Sequence, residues 1–237
     1  MTPPLFLVTS DALAADPLVI DGPEGRHASD VRRLRAGETV WVGDGVGAII
    51  EGVVATVARG AVTVDVVRRR EVAPPEPRFV VVQALAKGGR DEDAVEAMTE
   101  VGVDEVVAWS ARRAVAKWTP RVQLRWEAVA RSATKQARRP WLPVVSGPAT
   151  TAQVADRLRR AALAVVLHES ATTPMPTAPA TGEVVVVVGP EGGIDDEELS
   201  LFEAAGATTC RLGDNVLRAS TAGVAALSVL SAATRWT

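Results

Sequence analysis

Five consecutive valines, Val184–Val188, run straight into Gly189-Pro190-Glu191-Gly192-Gly193. Successive side chains of a strand point to opposite faces, so a strand that is apolar at every position must be covered on both sides. Alternating with helical patterns, such buried strands read as a mostly parallel sheet with helices on both faces, an α/β arrangement. Other short apolar runs fit the same frame: FVVVQALA (79–86), VDEVVAW (103–109), LAVVLH (163–168) and TTCRLG (208–213). Between them lie helical patterns. DEDAVEAMTEVG puts Ala94, Val95, Met98 and Val101 on one face with Gly102 as a stop, and a basic helix is expected around Arg125 to Ala137. ATTPMPTAPATGE (171–183) reads as a surface loop or a lid.

The first seventy residues have another texture. ETVWVGDGVGAIIEGVVATVARGAVTVDVV alternates and turns as a small β-barrel does, with Gly43-Asp44-Gly45 as a hairpin signal. Pro74, Pro75 and Pro77 then interrupt any helix or central strand, which marks a linker. The expected division is a β-barrel domain over 1–73 and an α/β domain over 78–237.

Composition removes several classes. No stretch reads as a signal peptide and no apolar run reaches membrane-spanning length, so a cytoplasmic protein with no membrane partner is expected. One cysteine and two histidines allow neither an internal disulfide nor a common zinc cage, so no metal is expected. A net charge of −3 is not that of a chain that binds polyanions by bulk charge, although arginines gather at 32–35, 68–70 and 131–139. Such runs are either solvated faces or local grips. Cys210 reads as core, and Trp41, Trp109, Trp118, Trp126, Trp141 and Trp236 as core, interface or stacking groups.

Two stretches carry chemistry. In VVVVVGPEGGIDDEELSLFEAAG a strand ends in glycines and a helix begins, with Asp195 as N-cap and Glu198 three residues on. Glycines at the carboxyl end of a strand let backbone amides approach a ligand. The pattern is neither a dinucleotide nor a triphosphate fingerprint. In TTCRLGDNVLRASTAGVAALSVL a second strand turns at Gly213 and enters a small-residue helix, which suits either a shared pocket or tight helix packing.

GPEGG before an acidic helix, then LG, then VLR with TA shortly after, resembles the signature of the SPOUT methyltransferase superfamily, specifically its RsmE type. That type methylates N3 of a uridine in 16S small-subunit ribosomal RNA. The resemblance extends upstream through KGGRDEDAVEAMTEVGVDEVV, through RWEAVARSATKQARRPWLPVV with Gln136, Arg139 and Pro143, and through RHASDVRRLRAGETV with His27, Val31, Arg33 and Gly37. It covers nearly the whole chain. Asn215 stands where the family usually has arginine, Ser220 where it has glutamate, and Arg32 where it has leucine.

The resemblance implies a PUA-like β-barrel followed by a SPOUT domain with a carboxyl-terminal trefoil knot, a homodimer, and S-adenosyl-L-methionine held at the knot. Its cofactor contacts would fall on Leu167, His168, Gly189, Glu191, Gly192, Gly193, Leu212, Gly213, Val216, Leu217, Thr221 and Ala222. Arg218 is the expected catalytic arginine, holding a phosphate or a deprotonated uracil, with an ion pair to Asp195–Glu198 as its alternative role. Glu191 stands as general base, cap or ribose contact. His27, Arg32, Arg33, Arg35 and Arg139 form the expected RNA grip. The competing functions are methylation of another RNA nucleotide and a non-catalytic role as a ribosome assembly factor that binds RNA.

Overall fold

The computed structural model describes residues 2–236. The chain forms two compact units, one built from residues up to Pro74 together with Thr134–Leu142, the other from Pro75–Ala133 and the remainder. The first unit contains β1 (Leu5–Leu7), α1 (Ser10–Ala14), β2 (Leu18–Ile20), α2 (Gly22–Arg26), β3 (Thr39–Gly43), β4 (Ala48–Ala58) and β5 (Ala61–Glu71). Its five strands lie in the order β1-β3-β4-β5-β2, antiparallel except for β1 against β3. Phe6, Leu18, Ile20, Val40, Val42, Ile50, Val62 and Val64 fill the core. Between α2 and β3 the chain makes a π-turn, His27–Val31.

Residues 134–142, within the 78–237 stretch, pack with the first unit. Lys135 Nζ lies 2.8 Å from Glu24 Oε1, and the Trp141 indole N–H donates to the Val72 carbonyl at 3.0 Å. Both contacts join residues far apart in sequence, and local periodicity carries no trace of them.

The second unit is built on six parallel strands: β6 (Arg78–Ala84), β7 (Glu105–Trp109), β8 (Val144–Ala149), β9 (Leu163–Leu167), β10 (Glu183–Val188) and β11 (Thr208–Cys210). Their order is β11-β9-β10-β6-β7-β8. Helices α3 (Arg90–Glu100), α4 (Pro120–Ala137), α5 (Thr151–Leu158), α6 (Asp196–Ala204) and α7 (Ala219–Ala232) cover it. Alternation along the strands divides the core into two layers. Phe79, Val81, Val106, Val184 and Val186 meet Val95, Met98, Trp126, Ala226 and Leu230 on one face. Val80, Val82, Val107, Val185 and Val187 meet Val154, Leu158 and Phe202 on the other. Burying each such side chain is worth about 1.5–3 kcal/mol, which is why the valine run commits β10 to the middle of a covered sheet.

The chain builds β6, β7 and β8 outward in one direction, then crosses to β9, and β10 enters between β9 and β6. Strand order reverses there, and open α/β sheets bind ligands beyond the carboxyl ends of strands at such a point. The opposite edge is held by charge. Arg78, Glu105 and Glu183 stand at the first positions of β6, β7 and β10, and Arg157 of α5 donates to both carboxylates at 2.7–2.9 Å. Burial pushes the Glu105 carboxyl up, but the hydrogen bonds from Arg157 and Arg78 prevail and leave it at about 2. Bonding to Arg157 likewise lowers Glu183.

Candidate active site

A cavity of about 570 Å³ opens at the carboxyl ends of β9, β10 and β11, three adjacent strands. His168 and Glu169 follow β9, Gly189 to Ile194 follow β10, and Arg211 to Arg218 lead from β11 into α7; all three segments contribute lining residues. Leu167, Val188, Leu212, Leu217 and Ala222 give the cavity an apolar side. Glu169, Glu191 and Asp196 add carboxylates, and Arg90, Arg113, Arg211 and Arg218 add cations.

The loops hold their shape for identifiable reasons. Asp195 caps α6 by accepting from the Glu197 N–H at 3.1 Å, and Glu198 closes the reciprocal capping box. The buried Glu198 Oε1 also accepts from the Thr151 hydroxyl at 2.8 Å and the Arg112 N–H at 3.0 Å. One carboxylate therefore ties the start of α6 to α5 and to the β7–α4 loop. Gly193 has φ +75°, a conformation that favours glycine, and a side chain on Gly189 would come within 2.7 Å of Ile194 Cγ1. After β9, His168 donates its backbone N–H to the Cys210 carbonyl at 2.9 Å, and its ring Nδ1 lies 2.8 Å from the Ser170 hydroxyl. Burial pushes the Cys210 thiol up to about 11, as suits a core cysteine.

Of the residues expected to contact a cofactor, all line this cavity except Gly213 and Thr221. Gly213 makes the turn after β11 at φ +76°, and Thr221 is exposed with its N–H donated to the Arg218 carbonyl at 2.8 Å. Arg218 is the N-cap residue of α7, lines the cavity, and has no side-chain hydrogen bond or ion pair among the described residues. Of the acids Asp195–Glu198, Asp195 pairs with Arg112 at 2.8 Å and Arg113 at 3.5 Å, and Glu197 with Arg112 at 2.7 Å. Glu191 Oε1 accepts from the Lys87 N–H at 3.1 Å and lies 3.6 Å from Arg90 Nη1, so it ties the β10–α6 loop to the β6–α3 loop.

In the first unit Leu34 is buried, which leaves Arg32, Arg33 and Arg35 exposed around it, Arg33 at φ +53°. The His27 ring packs against Phe6 at 6.1 Å between centroids. Arg139 is half-buried in the Thr134–Leu142 segment. Reading the sequence missed Arg90, Arg113, Glu169 and Arg211 as cavity residues. Their signal was position just beyond the carboxyl end of a strand, in the loop that follows one, or, for Arg90, at the start of the next helix.

Comparison with known proteins gives consistent results. The family model for an RNA methyltransferase domain matches residues 74–231, and that for an RNA methyltransferase PUA domain matches residues 20–67. A ribosomal RNA small subunit methyltransferase E from Mycobacterium bovis is 45% identical over 229 residues, 92% of this chain and 87% of that protein. Its counterpart from Synechocystis is 30% identical over 210 residues, 85% of this chain and 68% of that one. A Legionella pneumophila protein solved in complex with bound cofactor SAM superposes with a TM-score of 0.86 at 26% identity, covering 99% of each chain. The ribosomal RNA small subunit methyltransferase E of Neisseria gonorrhoeae, bound to S-adenosyl methionine, shares the fold at 19% identity, with a TM-score of 0.85 and 98% of each chain covered.

Proposed function

Because the chain belongs to the ribosomal RNA small subunit methyltransferase E family, we propose that it transfers a methyl group from S-adenosyl-L-methionine to N3 of a uridine in 16S small-subunit ribosomal RNA. The observation that carries this reading is the cavity at the ends of β9, β10 and β11, where ten of the expected cofactor contacts converge. Its volume of about 570 Å³ falls within the range of about 300–1,000 Å³ usual for pockets that bury small ligands. Its apolar side suits an adenine ring, and its charged residues and glycine backbone suit a ribose and an amino-acid moiety. Leu167, His168, Gly189, Glu191, Gly192, Gly193, Leu212, Val216, Leu217 and Ala222 would hold the cofactor. Gly213 would serve through its turn, and Thr221 through the first turn of α7. Once bound, the cofactor supplies an electrophilic methyl group on a sulfonium.

What the protein supplies is orientation and charge. N3 lies on the Watson–Crick edge, so the base must leave its pair to react, and N3 must lose its proton. Arg218, uncommitted at the cavity wall, is placed to stabilise the resulting uracil anion or to fix an adjacent phosphate. Glu191, bound to the Lys87 N–H, is the carboxylate assigned to receive the N3 proton and also a brace for the loop. We further read the first unit as a PUA-like barrel gripping RNA through His27, Arg32, Arg33, Arg35 and Arg139. The second unit is read as a SPOUT domain with a carboxyl-terminal trefoil knot, and the protein as a cytoplasmic homodimer.

Arg218→Ala tests the catalytic assignment. Methyl transfer to small ribosomal subunits is expected to fall by about a hundredfold or more, of the order reported for removing one electrostatic stabiliser, while RNA binding persists. Full transfer by the variant would remove Arg218 from the mechanism.

A further inference from the structure

Two adjacent arginines of the β7–α4 loop, Arg112 and Arg113, face the same carboxylate with different commitment. Arg112 is bound short: its Nη1 lies 2.8 Å from Asp195 Oδ1 and 2.7 Å from Glu197 Oε2, and its N–H donates to Glu198. Its guanidinium is held further on the charged side by these acids, Glu197 foremost. Among the described residues the Arg113 guanidinium makes only long polar contacts, 3.5 Å from Nη2 to Asp195 Oδ2 and 3.4 Å from Nη1 to the Ile194 carbonyl. An ion pair of that length on a side chain 45% exposed adds about 0–1 kcal/mol, too little to account for a cation at a cavity wall.

Arg113 lies beside the glycine turn, where a Cβ added to Gly192 would meet its Cβ and carbonyl oxygen at 3.4 Å, and its guanidinium stays half exposed at the cavity. A planar guanidinium placed this way can exchange two weak contacts for short, charge-assisted bonds to a phosphate. It comes from the loop after β7, outside the three strand ends that form the body of the cavity.

Resting on the methyl-transfer reading, we propose that Arg113 binds a backbone phosphate of the target RNA and positions the nucleotide presented to the cavity. The test compares Arg113→Gln, Arg113→Lys and Arg112→Gln in the full chain. Unmodified in vitro transcribed small-subunit ribosomal RNA serves in binding assays, and small ribosomal subunits lacking the modification serve in methyl transfer. Loss of one phosphate contact should reduce the slope of log K against log salt by about 0.7–0.9. Arg113→Gln is expected to show that reduction, a KM for RNA raised roughly tenfold, the scale of one charge-assisted bond, and an S-adenosylmethionine Kd within about twofold of wild type. Arg113→Lys should restore the slope, and Arg112→Gln should lower the melting temperature while keeping it. An unchanged slope in Arg113→Gln overturns the proposal. So does a parallel loss of cofactor affinity, which would make Arg113 a cofactor residue. If wild-type protein neither binds nor methylates the RNA, the functional reading itself falls, and that result is distinct from either outcome in the variant.

Discussion

Replacing Arg157 with alanine probes the charged edge of the parallel sheet. Arg157 makes four hydrogen bonds to Glu105 and Glu183 at 2.7–2.9 Å, and Arg78 remains as the second cation on both carboxylates. Glu105, whose side chain is 11% exposed, sits at about 2 against an ordinary 4.5. At about 1.36 kcal/mol for each tenfold in proton affinity, its preference for the ionised form in the folded state is worth about 3 kcal/mol. A lowered carboxylate contributes its stability fully above about pH 4.5 and loses it as pH falls through about 2. Arg157→Ala is therefore expected to cost about 2–3 kcal/mol at pH 7. For a chain of this size that is a fall of about 4–12 °C in melting temperature. At pH 2.5, with Glu105 largely neutral in the variant and partly so in the wild type, the gap should shrink to less than half. Circular dichroism melts of both proteins at the two pH values measure this. Equal losses at pH 7 and pH 2.5 would refute the electrostatic account, because a packing defect does not titrate. Cofactor affinity should be unchanged, since the network sits at the amino ends of the strands and the cavity at the carboxyl ends.

Two further substitutions address the site and its support. Gly189→Ala drives a methyl group to within 2.7 Å of the buried Ile194; the loop must shift, and titration calorimetry should show S-adenosylmethionine binding weakened at least about tenfold. Trp126→Phe removes the donor that reaches the buried Asp91 Oδ2 at 3.2 Å. Denaturant unfolding should register a loss of about 1–3 kcal/mol, the cost of a buried acceptor left without its partner.

The readable parts of the fold are those written in local pattern. Val184–Val188 is apolar at every position, so its place inside a covered sheet follows from burial alone. Asp195 and Glu198 stand three apart, and their capping box is a contact across one helical turn. The glycines after β10 marked the cavity because backbone approach to a ligand needs them. Illegible were the contacts that join distant segments. Glu198 meets Thr151 and Arg112 across 47 and 86 residues, and Arg157 meets Glu105 across 52. Nothing in the spacing of any of these residues announces its partner. Arg113 was hidden for a related reason: it stands far in sequence from the glycine turn after β10, and only the fold brings it to the cavity.

The most direct measurement is transfer of labelled methyl from S-adenosylmethionine to purified small ribosomal subunits that lack the modification, followed by digestion and nucleoside mass spectrometry. The account predicts label in 3-methyluridine. Label confined to any other nucleoside would contradict the N3 assignment, and binding of both cofactor and RNA without transfer would contradict the enzyme reading in favour of a non-catalytic assembly factor.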